Sequence, residues 1–493
     1  MTVSTAVQAG AVARVVGIKT AFKNLRGGRL VFLPQRVGVI AQGNTAATYT
    51  LEKKTVLSRK EAGDTFGYGS PIERIVNQLL PASGDGVGTI PVTIYPLEDD
   101  GSGVAAAGSL DATGTQTATK SYTVKINEIV AYATVLVGET ADQALAKFKT
   151  AVDAVIEAPV TTGTVAAGVL PVTAKWAGAS SNQIFMEVEG DAAGIVFSVT
   201  QVGSGATNPD VDDALAMIGD SWETLLINAM EYDDTVSLGK FDVYNEGRWS
   251  PLIRKPIIGA FCGYAESTSG AGTTITDART ADRTNVMIAA AGSRELPFVI
   301  AARAVARVAT VANDNPPQDY AGQRLTGLVP GADGVQWDYI TRNDAVTKGL
   351  GTTELVDSTI ELSDTITMYH PAGETPPAYR YVVDIAKISN ILFNTDLIFA
   401  SDEWKGAPLL SDDTPTVNPT AKKPKDAAAE IASLIDNLAL HAIISDPETA
   451  KSTIQAQINS SNPKRLDCTY TVQISGNTNI ISVDFNFGFY FGG

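Results

Sequence analysis

Side chains suited to acid–base, nucleophilic or metal chemistry are few in this chain, and they are scattered. There are two histidines, His370 before a proline and His441 inside an apolar-periodic stretch. No Gly-x-Ser-x-Gly elbow presents a serine to either of them, as a hydrolase triad needs. The one Gly-Lys pair, Gly239-Lys240, runs into Phe241 and lacks the upstream glycine of a phosphate-cradling loop. Gly67-Tyr68-Gly69-Ser70 leads into a helix, the setting of a dinucleotide fingerprint, but the third glycine is missing. Asp210, Asp212 and Asp213, or Asp412 and Asp413, offer oxygens to a divalent cation, yet neither group has the spacing of a calcium loop. The plainer reading is solvated loops and helix N-caps. No catalytic residue, cofactor or metal ligand is assigned, and the chain is not expected to be an enzyme.

Cys262 and Cys468 are too few for a disulfide framework and have no metal-type spacing. They read as reduced, largely buried thiols. The sharper alternative is an inter-subunit bridge, because Cys468 opens the terminal strand pattern.

That terminal pattern is the most informative chemistry in the chain, and it is apolar. In Cys468 to Gly493, Cys468, Tyr470, Val472 and Ile474 alternate with polar residues. After Gly476-Asn477 the alternation resumes with Ile481, Val483, Phe485, Phe487, Phe489 and Phe491. The period of two predicts two strands and a turn. A lone hairpin with one greasy face is marginal in water and must pack on something. It either closes a sheet in its own subunit or adds strands to an edge on a neighbour.

The elements ahead of it alternate. Val37 to Ala41 predicts a short buried strand. Ser70 predicts an N-cap and Pro71 the first residue of a helix whose face is Ile72, Ile75, Val76, Leu79 and Leu80. Thr89 to Tyr95 is the next strand. Glu98 to Gly103 reads as a linker, and from about 104 to 205 the chain is rich in Ala, Thr, Val and Gly. In that block Ser121–Asn127 and Ile129–Val137 pair, Thr140–Ile156 is helical, and Val169–Ala174 and Ile184–Glu189 are strands. From 211 helices and strands alternate again, through Glu223–Met230, Pro256–Cys262 and Val286–Ala290, to a long helix over Pro297–Ala312. Its Arg303 and Arg307 lie on one face. Residues 316–376 read as turn-rich, Ala378–Phe399 and Asp426–Ile444 as helices.

The fold expected is an α/β core, a sheet with packed helices, carrying an inserted α+β domain and extended N- and C-terminal arms. The expected division is an N-terminal arm over 1–30, core over 31–100, an inserted outer domain over 101–205, core again over 206–465, and a C-terminal β arm over 466–493.

With 493 residues, 44% hydrophobic and 18% charged, the composition is that of a globular protein. No run of eighteen apolar residues predicts a membrane span. Arg14 falls where a secretory signal would need its apolar block, so synthesis and retention in a cytoplasm are expected. The net charge of −17 argues against nucleic-acid binding. Between Met1 and Asp64, however, ten Lys or Arg face three acids, leaving −24 on the remainder. The basic arm, with Arg14, Lys19, Lys23, Arg26 and Arg29, suits head-to-tail contacts with acidic bodies of the same protein, or is simply solvated.

In order of parts the chain resembles the tail sheath proteins of contractile-tailed bacteriophages, the Mu-like branch above all, and the sheaths of related contractile injection systems. The resemblance rests on Arg36-Val37-Gly38-Val39-Ile40-Ala41, on Thr173 to Asn182 in the Ala/Thr-rich block, and on Ile218-Gly219-Asp220-Ser221-Trp222. It extends to Asn315-Pro316-Pro317 with Leu325 to Leu328, and to Asn462 to Asp467. Together these span most of the chain.

The resemblance implies a six-fold helical homopolymer of stacked hexameric rings around an inner tail tube, bounded by baseplate and tail terminator proteins. It implies arms that exchange strands between neighbours, through Val472, Ile474, Ile481, Val483, Phe485, Phe487, Phe489 and Phe491. It also implies contraction that drives the tube through a host envelope, assembly in the host cytoplasm, and a place in the virion tail. By the same analogy the Asp426–Ile444 helix would face the tube. Competing readings are the sheath of a tailocin or other injection system, an α/β enzyme with an inserted lid, and a surface adhesin.

Overall fold

The computed structural model describes residues 30–332, 334–374, 377–485 and 487. These described residues fall into two compact units, one comprising residues 32–390 with those from 476 on, the other residues 30–31 and 391–475.

The larger unit is built on a mixed eight-stranded sheet. Its order is Thr359–Asp364, Gly351–Val356, Asn285–Ala289, Gly259–Tyr264, Leu225–Asn228, Val37–Gln42, Val92–Leu97 and Lys54–Val56. The six inner strands are parallel and the two outermost run antiparallel to their neighbours. Val37–Gln42 pairs on one side with Val92–Leu97 and on the other with Leu225–Asn228. The sheet therefore takes adjacent strands from either side of the Ala/Thr-rich block. Every residue of Val37–Gln42, Val92–Leu97, Gly259–Tyr264 and Asn285–Ala289 is buried, which is why these strands read as apolar runs rather than alternations.

Pro297–Asp314 is the helix that seals the sheet, packing on Gly259–Tyr264, on Leu225–Asn228 and on the Pro71–Leu79 helix. Its approach to the strand is so close that a Cβ on Gly263 would stand 1.9 Å from the Pro297 carbonyl oxygen. Arg303 and Arg307 do share a face: Arg303 donates to Gln78 Oε1 at 2.6 Å, and Arg307 to the Asp85 and Gly86 carbonyls at 3.0 Å. They hold the loop that follows Pro71–Leu79. That helix starts as its sequence dictates, with Pro71 in the first turn and the Ser70 hydroxyl accepting from Glu73 N–H at 3.2 Å.

Between residues 105 and 203 lie two smaller antiparallel sheets and the helix Ala141–Asp153. One sheet holds Val196–Gly203, Ala105–Thr113, Val169–Ala177 and Val160–Thr162; the other holds Ile129–Val135, Lys120–Ile126 and Met186–Glu189. Tyr122, Phe148 and Phe197 meet edge to face between them, with ring centroids 4.8–6.4 Å apart. Contacts to the large sheet are specific: Gln42 donates to the Ala177 carbonyl at 2.7 Å, Asn127 to that of Arg294 at 2.7 Å, and Trp176 meets Phe298 edge on.

Two expectations are corrected. Residues 316–376 are not merely turns, because they carry the helix Tyr339–Thr347 and a hairpin of Gly351–Val356 with Thr359–Asp364. The division into units falls inside the Val382–Phe399 helix, and residues 391–475 bury an apolar face around Ile431, Leu434, Ile435 and Leu438 of Pro424–Leu440. Finally, among the described residues the two halves of the terminal pattern do not pair with each other. Leu466–Thr469 pairs upstream with Gln455–Ile458, and Gln473–Ile474 pairs with Ile444–Ser445.

Candidate assembly surface

Both strands of the first half of the terminal pattern find partners inside the smaller unit. Cys468 stands opposite Ala456, Leu466 opposite Ile458, and Ile474 opposite Ile444. Val472 and Ile474 are accordingly half-buried. The second half is different. Ile481, Val483, Phe485 and Phe487 are 76%, 77%, 80% and 81% exposed, and among the described residues they belong to no strand. In an extended backbone their period of two would put them on one face. The Phe485 and Phe487 rings stack at 5.8 Å. Phe489 and Phe491 lie outside the described residues.

Scattered exposed hydrophobics are ordinary, but four in register on one short segment form a patch of the kind that marks an interaction site. Burying each such side chain contributes about 1.5–3 kcal/mol. The stripe can therefore bring substantial binding energy to any edge that accepts it.

The smaller unit carries a second apolar feature, an open groove of about 760 Å³ lined by Phe399, Trp404, Leu409, Ile431, Leu466, Cys468 and Tyr470 among others. Phe399 and Trp404 meet edge to face at 5.2 Å, Lys422 caps the Trp404 ring at 5.1 Å, and the Tyr470 hydroxyl bonds Thr395 Oγ1 at 2.7 Å. The sequence pattern did not disclose it, since its walls come from four separate stretches.

The two thiols part company. Cys262 is 1% exposed in the middle of the large sheet, its Sγ donating to the Val286 carbonyl at 3.7 Å, and burial pushes the thiol up to about 12. Cys262, named with Cys468 as a possible thiol between subunits, lies inside the large sheet and away from the surface of its own chain. Cys468 is half-buried at the groove, and burial, with the nearby Asp467 charge, raises its thiol too. The basic arm residues Arg14, Lys19, Lys23, Arg26 and Arg29 lie outside the described residues.

The places considered for other chemistry are occupied by the protein's own groups. Lys240 bridges Asp210 at 2.5 Å and Asp212 at 2.8 Å, and Asp412 accepts from the Lys425 N–H at 3.0 Å. At the Gly67–Ser70 turn the carboxylate of Glu73 accepts from the Gly69 N–H at 3.2 Å, filling the helix N-terminus where an anion would sit. His370 packs between the Met368 carbonyl and Asp277, and His441 ends the Pro424–Leu440 helix against the Asn437 carbonyl. Among the described residues no group of three His, Cys, Asp or Glu gathers to hold a metal ion, and no helix is long and apolar enough to cross a membrane.

What the fold and its surfaces present is an exposed apolar stripe, Ile481 to Phe487, that pairs with no strand among the described residues. The comparison with known proteins agrees with the resemblance. The Mu-like prophage FluMu tail sheath protein of Haemophilus influenzae is 25% identical over 427 residues, covering 84% of this chain and 85% of that one. This chain thus has a Mu-like tail sheath protein as a homologue, as its residues suggested.

No family model matches the chain. Among solved structures, a sheath tail protein from Desulfitobacterium hafniense is 12% identical with a TM-score of 0.46, over 93% of this chain and 100% of that one. One from Listeria innocua is 11% identical with a TM-score of 0.48, over 91% and 94%. A chain of the anti-feeding prophage baseplate is 9% identical with a TM-score of 0.44, over 97% and 100%.

Proposed function

We propose that this chain is the structural subunit of a contractile tail sheath, polymerising as stacked six-fold rings around an inner tube. The coarse part of that reading, a sheath protein of a contractile phage tail or injection system, rests on the homology to the Haemophilus sheath protein. The finer part rests on the exposed stripe Ile481, Val483, Phe485 and Phe487. A segment with exposed apolar side chains and no strand partner among the described residues is suited to strand addition on a neighbour's sheet edge, with the ladder supplying affinity and the alternating side chains supplying register.

In this reading the subunits are knitted by their termini, so they can turn and move outward as bodies while staying joined. Contraction is a passage between two packings of the same surfaces, the contracted one burying more. No nucleotide is consumed. The partners are further copies of the chain, the tube, the baseplate and the tail terminator, assembled in the host cytoplasm and carried in the virion tail. The inserted block projects outward, and the 1–30 segment contributes basic contacts to the acidic bodies.

Electron microscopy of the purified chain tests this. Tubes or stacked rings forming above a threshold concentration support it, and dispersed particles at every concentration, from folded protein, contradict it.

A further inference from the structure

We propose that Lys387 and Asn477 form the fixed root of the C-terminal arm, a clamp that sets where the donated segment leaves its own subunit. Lys387 lies on the Val382–Phe399 helix with its side chain 0% exposed. An ammonium survives such burial only when it is paired and hydrogen-bonded. Asp384, one helical turn earlier, meets it at 3.0 Å, and Asn477 Oδ1 accepts from it at 2.6 Å. The Asn477 amide works in both directions, for its Nδ2 donates to the Pro317 carbonyl at 2.8 Å.

These contacts are not by-products of a local turn, since Asn477 is 90 residues from Lys387 and 160 from Pro317 in sequence. Nor is the acceptor type incidental. An ammonium has three donors and no acceptor, and an amide oxygen satisfies one donor without adding a second buried charge. The same amide then has an N–H left for a carbonyl, which a carboxylate would not. Three residues further on, Ile480 is already 87% exposed. The chain thus passes from a clamped residue to a fully solvated apolar stripe within one short step. A pull on the arm is borne at Asn477 by a buried charge on a long helix. This inference rests on reading residues 480–493 as the donated arm.

The test is a spin-label distance measurement on the full chain, below the concentration at which it polymerises, in a C468S background. Labels are placed at Thr478→Cys and Val243→Cys, both exposed sites of the same unit. Cys262, 1% exposed, does not label. The expected result is a narrow distance distribution that widens at least about twofold in N477A, which loses both the Lys387 and the Pro317 contacts, and by less in K387M, which loses the first alone. The double variant is expected to be no wider than N477A, because the Lys387 contact is already gone there. K387M keeps the helix packed with an apolar side chain of similar length, so the outcome does not hang on a single substitution. An unchanged distribution in either single variant overturns the clamp, as does a double variant wider than both. Failure of the two readings is separable. Tubes from the full chain with an unaltered N477A distance sink the clamp alone; widened distances in a chain that never forms tubes sink the sheath reading and leave the clamp.

Discussion

The Tyr95 hydroxyl donates to Glu223 Oε1 across 2.9 Å, joining residues 128 positions apart. Arg36 reaches the same oxygen at 3.4 Å. Tyr95 lies on Val92–Leu97, Arg36 just before Val37–Gln42, and Glu223 just before Leu225–Asn228. The Glu223 side chain is fully buried. The contact therefore closes the large sheet at the point where the chain returns from the Ala/Thr-rich block, and both burial and the carboxylate raise the tyrosine's hydroxyl well above its ordinary range.

Tyr95→Phe removes the neutral donor to a buried carboxylate and leaves Arg36 alone to satisfy it. The expected loss of stability is about 1.5–3 kcal/mol, the scale of a hydrogen bond to a charged group. Urea unfolding would report it as a lower midpoint with an unchanged slope.

Glu295 is 2% exposed and faces Arg74 and Arg303. Burial pushes its carboxyl up to about 7, against the opposing pull of the Val329 N–H and of the two guanidinium groups. The folded state thus holds this proton more tightly than the unfolded chain, whose group titrates near 4.5. Its contribution to stability is undiminished below that lower value and is lost as pH rises through about 7. In E295Q, with no proton to lose, the fall in Tm between about pH 5 and pH 8 should be smaller than in the parent.

How much of this was legible beforehand depended on whether a signal was local. Ser70-Pro71 announced its helix because capping and a first-turn proline act within four residues. The Gly351–Asp364 hairpin escaped because its turn residues, Asp357 and Ser358, take positive φ of 47° and 65° without the Asn-Gly or Asp-Gly pair that usually advertises such a turn. The strand Ala105–Thr113 escaped because Ala and Gly are poor strand formers. At the terminus, alternation told that Cys468 to Ile474 is extended but not whom it pairs with. Its true partners, Gln455–Ile458 and Ile444–Ser445, are supplied by tertiary structure. The exposed stripe itself was fully visible as a pattern. The groove and the Lys387–Asn477 contact were not, since each joins residues distant in sequence.

The thiols offer a check on the two environments. In native protein one cysteine, Cys468, is expected to react with a thiol reagent, faster at higher pH as its raised thiol ionises. Cys262 should react only when the chain unfolds. Two fast thiols in the folded chain would contradict the central placement of Gly259–Tyr264.

Replacing Phe485 and Phe487 together by serine should leave the unassembled chain as stable as before, because both rings are already in solvent. If both are buried between subunits, about 3–6 kcal/mol per contact is lost, and the concentration needed for polymerisation rises by roughly a hundredfold or more. Light scattering across a dilution series reads this directly.

The measurement that bears most directly on the account is electron microscopy of the full chain beside one ending at Asn479, each across the same concentration series. That truncation removes the stripe and keeps both the Gln473–Ile474 pairing and the Asn477 anchor. The account predicts tubes or stacked rings from the full chain and only folded, dispersed subunits from the shortened one. Equal polymerisation by both chains would contradict the assignment of assembly to Ile481, Val483, Phe485 and Phe487.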